Sequence, residues 1–114
     1  MSDADTLHAG AEALLVITTV DDGDVATGLA REVVEQRLAA CVHILSPGRS
    51  VYLWEGQVEE AEEHTLLLKT SVQRYRALES WLAARHPYET PEIIALPISA
   101  GLPDYIDWIE QCTR

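Results

Sequence analysis

The sequence predicts an α+β fold of the ferredoxin-like, split βαβ kind, in the order β-α-β-β-α-β with an additional C-terminal helix. Three observations carry that prediction. Apolar runs of strand length and apolar stripes at helical spacing follow one another in this order. The 114 residues fit one domain around one core. A turn signal, Glu55-Gly56, separates two long extended stretches, the second and third predicted strands, which form a hairpin long enough to project beyond a small domain.

Each element has its own signature. Residues 1–13 hold few apolar side chains without a clear period and read as a flexible N-terminal arm, leaving 14–114 as a single domain. Leu14 to Val20 is a β-branched run closed by Asp21-Asp22-Gly23, a strand flanked by others. Asp24 is placed to cap the following helix, with Val25, Leu29, Val33 and Val34, and Leu38 as its apolar stripe. Cys41 to Leu45 returns to strand composition. Ser46-Pro47-Gly48 interrupts the ladder, because proline lacks the amide donor, and Val51 to Trp54 resumes it with Tyr52 and Trp54 on one face.

Val58 to Thr70 is the long third strand. Its first half, with Glu59, Glu60, Glu62 and Glu63, reads as solvated, and its second, Thr65 to Leu68, as buried. Ser71 is the N-cap of a helix striped by Val72, Tyr75, Leu78 and Leu82, which Pro87 ends near His86. Glu92 to Ile98 is the fourth strand, and Pro97 marks an edge or an ending. Gly101 and Pro103 announce the last helix, on which Leu102, Tyr105, Ile106 and Ile109 share a face. Right-handed crossovers put both main helices on one side of the sheet. The other side, with Tyr52 and Trp54, needs cover; the last helix alone or a partner subunit would supply it, and the pattern leaves both open.

Composition excludes several classes. Apolar residues make up 47% and charged residues 24%, as in ordinary globular domains. Eight Lys and Arg against 19 Asp and Glu give a net charge of −11, which repels phosphate backbones and anionic lipid. Neither nucleic acid nor a membrane is therefore an expected partner. Two cysteines, Cys41 and Cys112, are too few for a disulfide scaffold and suit a reducing compartment. The acidic start lacks the features of a secretory leader, so a cytoplasmic location is expected. No glycine-rich phosphate loop, nucleophile elbow or metalloprotease helix is present, and Asp21-Asp22-Gly23-Asp24 would repel a phosphate after the first strand. The expectation is a protein that is not an enzyme.

Five blocks carry a specific resemblance: EQRLAACVHI from Glu35, SVYLWEG from Ser50, LLLKT from Leu66, HPYETPEI from His86 and YIDWI from Tyr105. In order and spacing, from about Leu14 to Ile109, they resemble the CutA family of divalent-cation tolerance proteins. That resemblance implies a tight homotrimer built through the long strands, a likeness to the PII signal proteins, divalent-metal tolerance with copper binding, and no assigned enzymatic activity. In some bacterial members copper binding is linked to a Cys in the first strand and a His-His pair before Pro-Tyr. Here Thr18 stands at the Cys position and Arg85-His86 replaces the pair.

His86-Pro87-Tyr88-Glu89 is the strongest chemical cluster, because neutral imidazole suits copper, zinc or nickel and Glu89 would add a carboxylate. One imidazole is a small ligand set, so a divalent metal such as copper is expected to bind His86 only weakly. The competing reading makes His86 a packing residue at the helix end. His43 and His64 lie on the second and third strands as a lesser pair. A second constellation, Trp54, Glu55, Lys69, Tyr88 and Glu92, falls inside the matching blocks, and Lys69 is the only lysine. One reading is an interface pocket for a small-molecule effector or partner protein. The other is an ion pair of Lys69 with Glu55 or Glu92, the aromatics serving as packing anchors.

Overall fold

The computed structural model describes residues 12–114. The proposed N-terminal arm lies outside the described residues up to position 11, and Ala13 already belongs to the first strand. The elements are β1 (Ala13–Val20), α1 (Gly23–Glu35), β2 (Cys41–Ile44), β3 (Gly48–Trp54), β4 (Gln57–Ser71), a 3-10 turn (Val72–Arg74), α2 (Tyr75–Arg85), β5 (Ile94–Pro97) and α3 (Pro103–Cys112). The sheet runs β2-β4-β1-β5 with antiparallel neighbours, and β3 continues along β4 where β2 stops. This is the α+β, ferredoxin-like arrangement that the order of elements predicts.

Local chemistry moves several boundaries. Asp22, not Asp24, caps α1: its Oδ1 accepts from the amides of Asp24 at 2.8 Å and Val25 at 3.0 Å. The helix therefore starts two residues earlier than expected. It buries Ala26, Leu29, Ala30 and Val33 and leaves Val25 and Val34 exposed. Its end is a Schellman turn. Arg37 is left-handed at φ 59°, its amide donates to Val34 O at 3.0 Å, and the Leu38 amide donates to Val33 O at 2.8 Å. Arg74 then donates to the carbonyls of Arg37 and Gln36 at 3.2 and 3.3 Å, a cation against the negative end of the helix.

Ser71 closes β4 instead of capping α2; its hydroxyl accepts from Thr113 Oγ1 at 2.9 Å, and the 3-10 turn intervenes before the helix. Val72 and Leu102 lie on exposed turns at the starts of their helices, outside the buried stripes. β5 is shorter than expected because residues 86–93 loop away from the sheet, although the Ile98 amide still donates to Ala13 O at 3.1 Å. At the hairpin tip Glu55 and Gly56 are both left-handed, φ 50° and 80°, the signs that a two-residue type I′ turn requires.

One core lies between sheet and helices. Val16, Val20, Leu66 and Leu68 pack against Leu29 and Val33 of α1 and Leu78, Trp81 and Leu82 of α2. On the other face α3 covers one end only, where Ile109 meets Ala13 and Ala40. Beyond it Ile94 and Leu96 stay exposed, as do Tyr105 and Trp108 of α3 itself. The hairpin is barer still: Val51, Leu53 and Val58 are 62%, 70% and 72% exposed. It stretches the chain to a radius of gyration of 15.0 Å, against about 13 Å for a compact domain of this length. The last helix thus does not cover the open face alone.

Candidate functional site: a cleft at the base of the hairpin

His86 is where α2 ends. Its amide still donates to Leu82 O at 2.8 Å, and Pro87 holds it in extended geometry at φ −64°, ψ 137°. The ring folds back onto β1 and is 8% exposed. Nδ1 accepts from the Tyr88 amide at 3.1 Å, so the proton sits on Nε2, which donates to Thr19 O at 3.0 Å. Burial pushes its pKa below the usual imidazole value, against the opposing pull of Glu63 and Asp21. Both nitrogens of this neutral ring are therefore engaged by the backbone.

That geometry does not fit a metal ligand. Among the described residues no group of three or more His, Cys, Asp or Glu side chains is placed to hold a metal ion. Thr18, where the family resemblance would place a Cys, faces the helices in the core and is fully buried. His43 and His64 do not meet either. His43 lies opposite Leu67, whereas His64 lies opposite Val20 with Nδ1 3.2 Å from Leu45 O.

Tyr88 packs its ring on His86, centroids 4.8 Å apart, and its hydroxyl donates to Glu63 Oε2 at 2.7 Å. Glu63 is 9% exposed, the one member of its acidic run to be buried. Burial pushes its carboxyl up, but hydroxyls from Ser50, Tyr88 and Thr19, with His86 nearby, outweigh it and hold the group below the usual carboxylate range. Burial and the Glu63 carboxylate push the Tyr88 phenol far above its ordinary value.

Around this network opens a cleft of about 680 Å³. Thr19 and Asp21 at the end of β1, with Glu63 of β4, form one side. Ser50, Tyr52 and Trp54 of β3 project onto the same sheet face as Glu63, because side chains alternate and Gly48 lies opposite Glu63. Tyr88, Glu89 and Glu92 close it from the loop before β5.

Of the predicted constellation, Trp54, Tyr88 and Glu92 meet here. Glu55 does not, because the hairpin turn holds it at the tip. Lys69 lies toward the opposite end of β4, paired with Leu15 and Cys41. Its ammonium donates to the Tyr105 hydroxyl at 3.1 Å, which raises its pKa, and Cys41 Sγ is 3.6 Å from the same oxygen. Within the chain Lys69 pairs with neither Glu55 nor Glu92. Sequence reasoning missed Thr19, Asp21, Ser50 and Glu63. The signal was the two-residue period of β4, which sets Glu63 on the same side as Thr65 and Leu67, with an interrupted strand opposite.

Fold and cleft together define a class: a ferredoxin-like α+β domain whose overlong hairpin bounds a ligand-sized cleft. The chain belongs to the CutA1 divalent ion tolerance protein family, whose model matches residues 14–112. It is 40% identical over 103 residues to the divalent-cation tolerance protein CutA of Pectobacterium atrosepticum, covering 90% of this chain and 94% of that one. Among solved structures it is similar to the divalent cation tolerance protein of Thermus thermophilus, with a TM-score of 0.87 and 42% identity over 90% of this chain and 99% of the other. CutA of Xylella fastidiosa superimposes with a TM-score of 0.88 at 39% identity, again over 90% and 99%.

Proposed function

We propose that this protein acts in tolerance of divalent cations as a non-enzymatic homotrimer, without holding the metal at His86. Family membership over nearly the whole chain supports the tolerance role. The observation that carries the assembly is the apolar hairpin and sheet face that α3 leaves open, a surface of the kind that obligate interfaces bury. Cys41 and Cys112 are free and half-buried, in keeping with the cytoplasm as its compartment. No helix among the described residues is long and apolar enough to cross a membrane.

The test has two arms. Expression in a bacterial strain lacking its own family member should restore growth in elevated Cu(II), and failure to do so would remove the tolerance role. Calorimetric titration of Cu(II) should give the same isotherm for wild type and His86→Gln, whereas loss of a site in the variant would restore His86 as a ligand.

A second reading is favoured by the cleft itself. Its volume falls in the range of small-molecule sites, and an ordered hydroxyl–carboxylate network stands at its wall. On that reading the trimer is a PII-like regulatory or scaffold module whose cleft receives a small molecule or a partner protein.

A further inference from the structure

We propose that the loop 86–93 is a proton-operated latch: neutral His86 holds it onto the end of β1, and protonation of the ring in mild acid releases it while the core stays folded. This goes beyond the tolerance role and depends on neither the assembly nor a ligand in the cleft.

Few bonds hold the loop. β5 leaves β1 at the pair Ile17–Ile94, so the outer edge of β1 past that point has no strand beside it among the described residues. The imidazole of His86 takes the place, donating from Nε2 to Thr19 O at 3.0 Å as a strand amide would. Pro87 and Pro91 have no amide donor. Among the described residues, no backbone group of 87–92 pairs with another backbone group. What holds the loop instead is Tyr88, through its amide to His86 Nδ1 at 3.1 Å and its hydroxyl to Glu63 at 2.7 Å. Both bonds lie within one chain, and the ring is already buried there, so neighbours that cover the open face leave them in place.

Protonation breaks the first bond directly. Nδ1 accepts only through its lone pair; once it takes a proton, two N–H donors face each other with no acceptor between them. The Tyr88 amide and a charged ring are then unsatisfied at a site only 8% exposed, a cost relieved when the loop lifts and both reach water. The charges that face the ring are Glu63 of β4 and Asp21 after β1, and the neighbouring Tyr88 stays a neutral phenol. Arg85 of α2 is turned away, its guanidinium 4.6 Å from the Trp81 ring centroid and its Nε 4.0 Å from Glu32 of α1. The two carboxylates attract an imidazolium, yet burial outweighs them and keeps the ring's pKa below 6.5 while the loop is closed. In the open loop the ring returns toward its ordinary value, so falling pH favours the open form. Glu63, held below 4.5, stays ionised over that range and is not the trigger.

The test is amide hydrogen exchange followed by NMR on the assembled full chain from about pH 7.5 to about pH 5, corrected for the intrinsic pH dependence of exchange. Protection of the Tyr88 amide should fall by up to about tenfold for each pH unit below 6.5, the limit for one coupled proton. The amides of Val16 and Leu68, partners in the core of the sheet, should keep theirs. Nitrogen shifts of the His86 ring should report uptake of the proton at Nδ1 in the same range. His86→Gln keeps a side-chain acceptor and donor without a titrating group, so its Tyr88 protection should not vary with pH. Three results overturn the proposal: a ring that titrates while Tyr88 protection is unchanged, a fall that persists in His86→Gln, or equal loss at Val16 and Leu68, which would be unfolding of the whole domain. The ring shifts are read on wild type, so the first of these decides even if the variant does not fold.

Discussion

Replacing Tyr88 by Phe tests the site's internal wiring. The substitution keeps the ring that packs on His86 and removes only the hydroxyl that donates to Glu63 Oε2 at 2.7 Å. A hydrogen bond to a charged group contributes about 1.5–3 kcal/mol. Ser50 and Thr19 still serve the carboxylate after the change, so the lower end applies, about 1.5 kcal/mol at pH 7. For a domain of this length that corresponds to a fall in Tm of about 6 °C. The pH dependence follows from the sign of the shift. Glu63 is held below its ordinary value of 4.5 in the folded protein, so its contribution is fully present above that value. It is lost as pH falls from there through the folded pKa, because the unfolded chain then takes up the proton first. The deficit of Tyr88→Phe should accordingly shrink in acid. Differential scanning calorimetry at one protein concentration, at pH 7 and again near pH 3, reads both quantities. An unchanged Tm at pH 7, or a deficit as large at low pH, would refute the charge-assisted bond.

The other predictions concern the scaffold. Thr18 is fully buried and its hydroxyl has no hydrogen-bond partner among the described residues, so Thr18→Val should stabilise by about 1 kcal/mol; a lower Tm would mean the hydroxyl is satisfied. Arg37→Gly relieves a left-handed φ of 59° at an exposed side chain and should raise stability by up to about 1 kcal/mol in urea denaturation, with a loss contradicting the turn geometry. His86 is buried neutral with a folded pKa below 6.5. Wild-type stability should therefore fall as pH drops below that value, where the unfolded chain gains the proton first, and His86→Gln should lack this step. An identical pH profile in both proteins would remove the buried neutral imidazole.

How much of this was legible beforehand depends on what each signal encodes. Periodicity and turn chemistry report local geometry, and they placed every strand and helix in order, the hairpin turn at Glu55-Gly56 included. They do not report which of two neighbouring acids, one glycine apart, will cap. Asp22 and Asp24 are equivalent in composition, and only the backbone direction selects Asp22. Matching blocks also carry no distances: Trp54, Tyr88 and Glu92 do converge, yet Lys69 sits some way along β4 beside Tyr105, and Glu55 is occupied by the turn. Glu63 was hidden among three acids that are exposed. Its burial arises from a tertiary event, the loop after α2 returning Tyr88 to the sheet, which no pattern within β4 records. The same loop engages Nδ1 of His86 through the Tyr88 amide while Nε2 meets Thr19 O of β1, which argues against the ligand role its residue type suggests.

In the proposed assembly, like chains cover the open sheet face and the bare hairpin. Multi-angle light scattering on the purified protein, beside a Leu53→Glu, Val58→Glu variant, tests it directly, since both side chains are more than two-thirds exposed in the single chain. Wild type should weigh three times the 12.6 kDa of one chain at every workable concentration, and the variant should fall apart toward single chains. A wild-type mass of one chain would contradict the claim, and so would a variant that assembles as before.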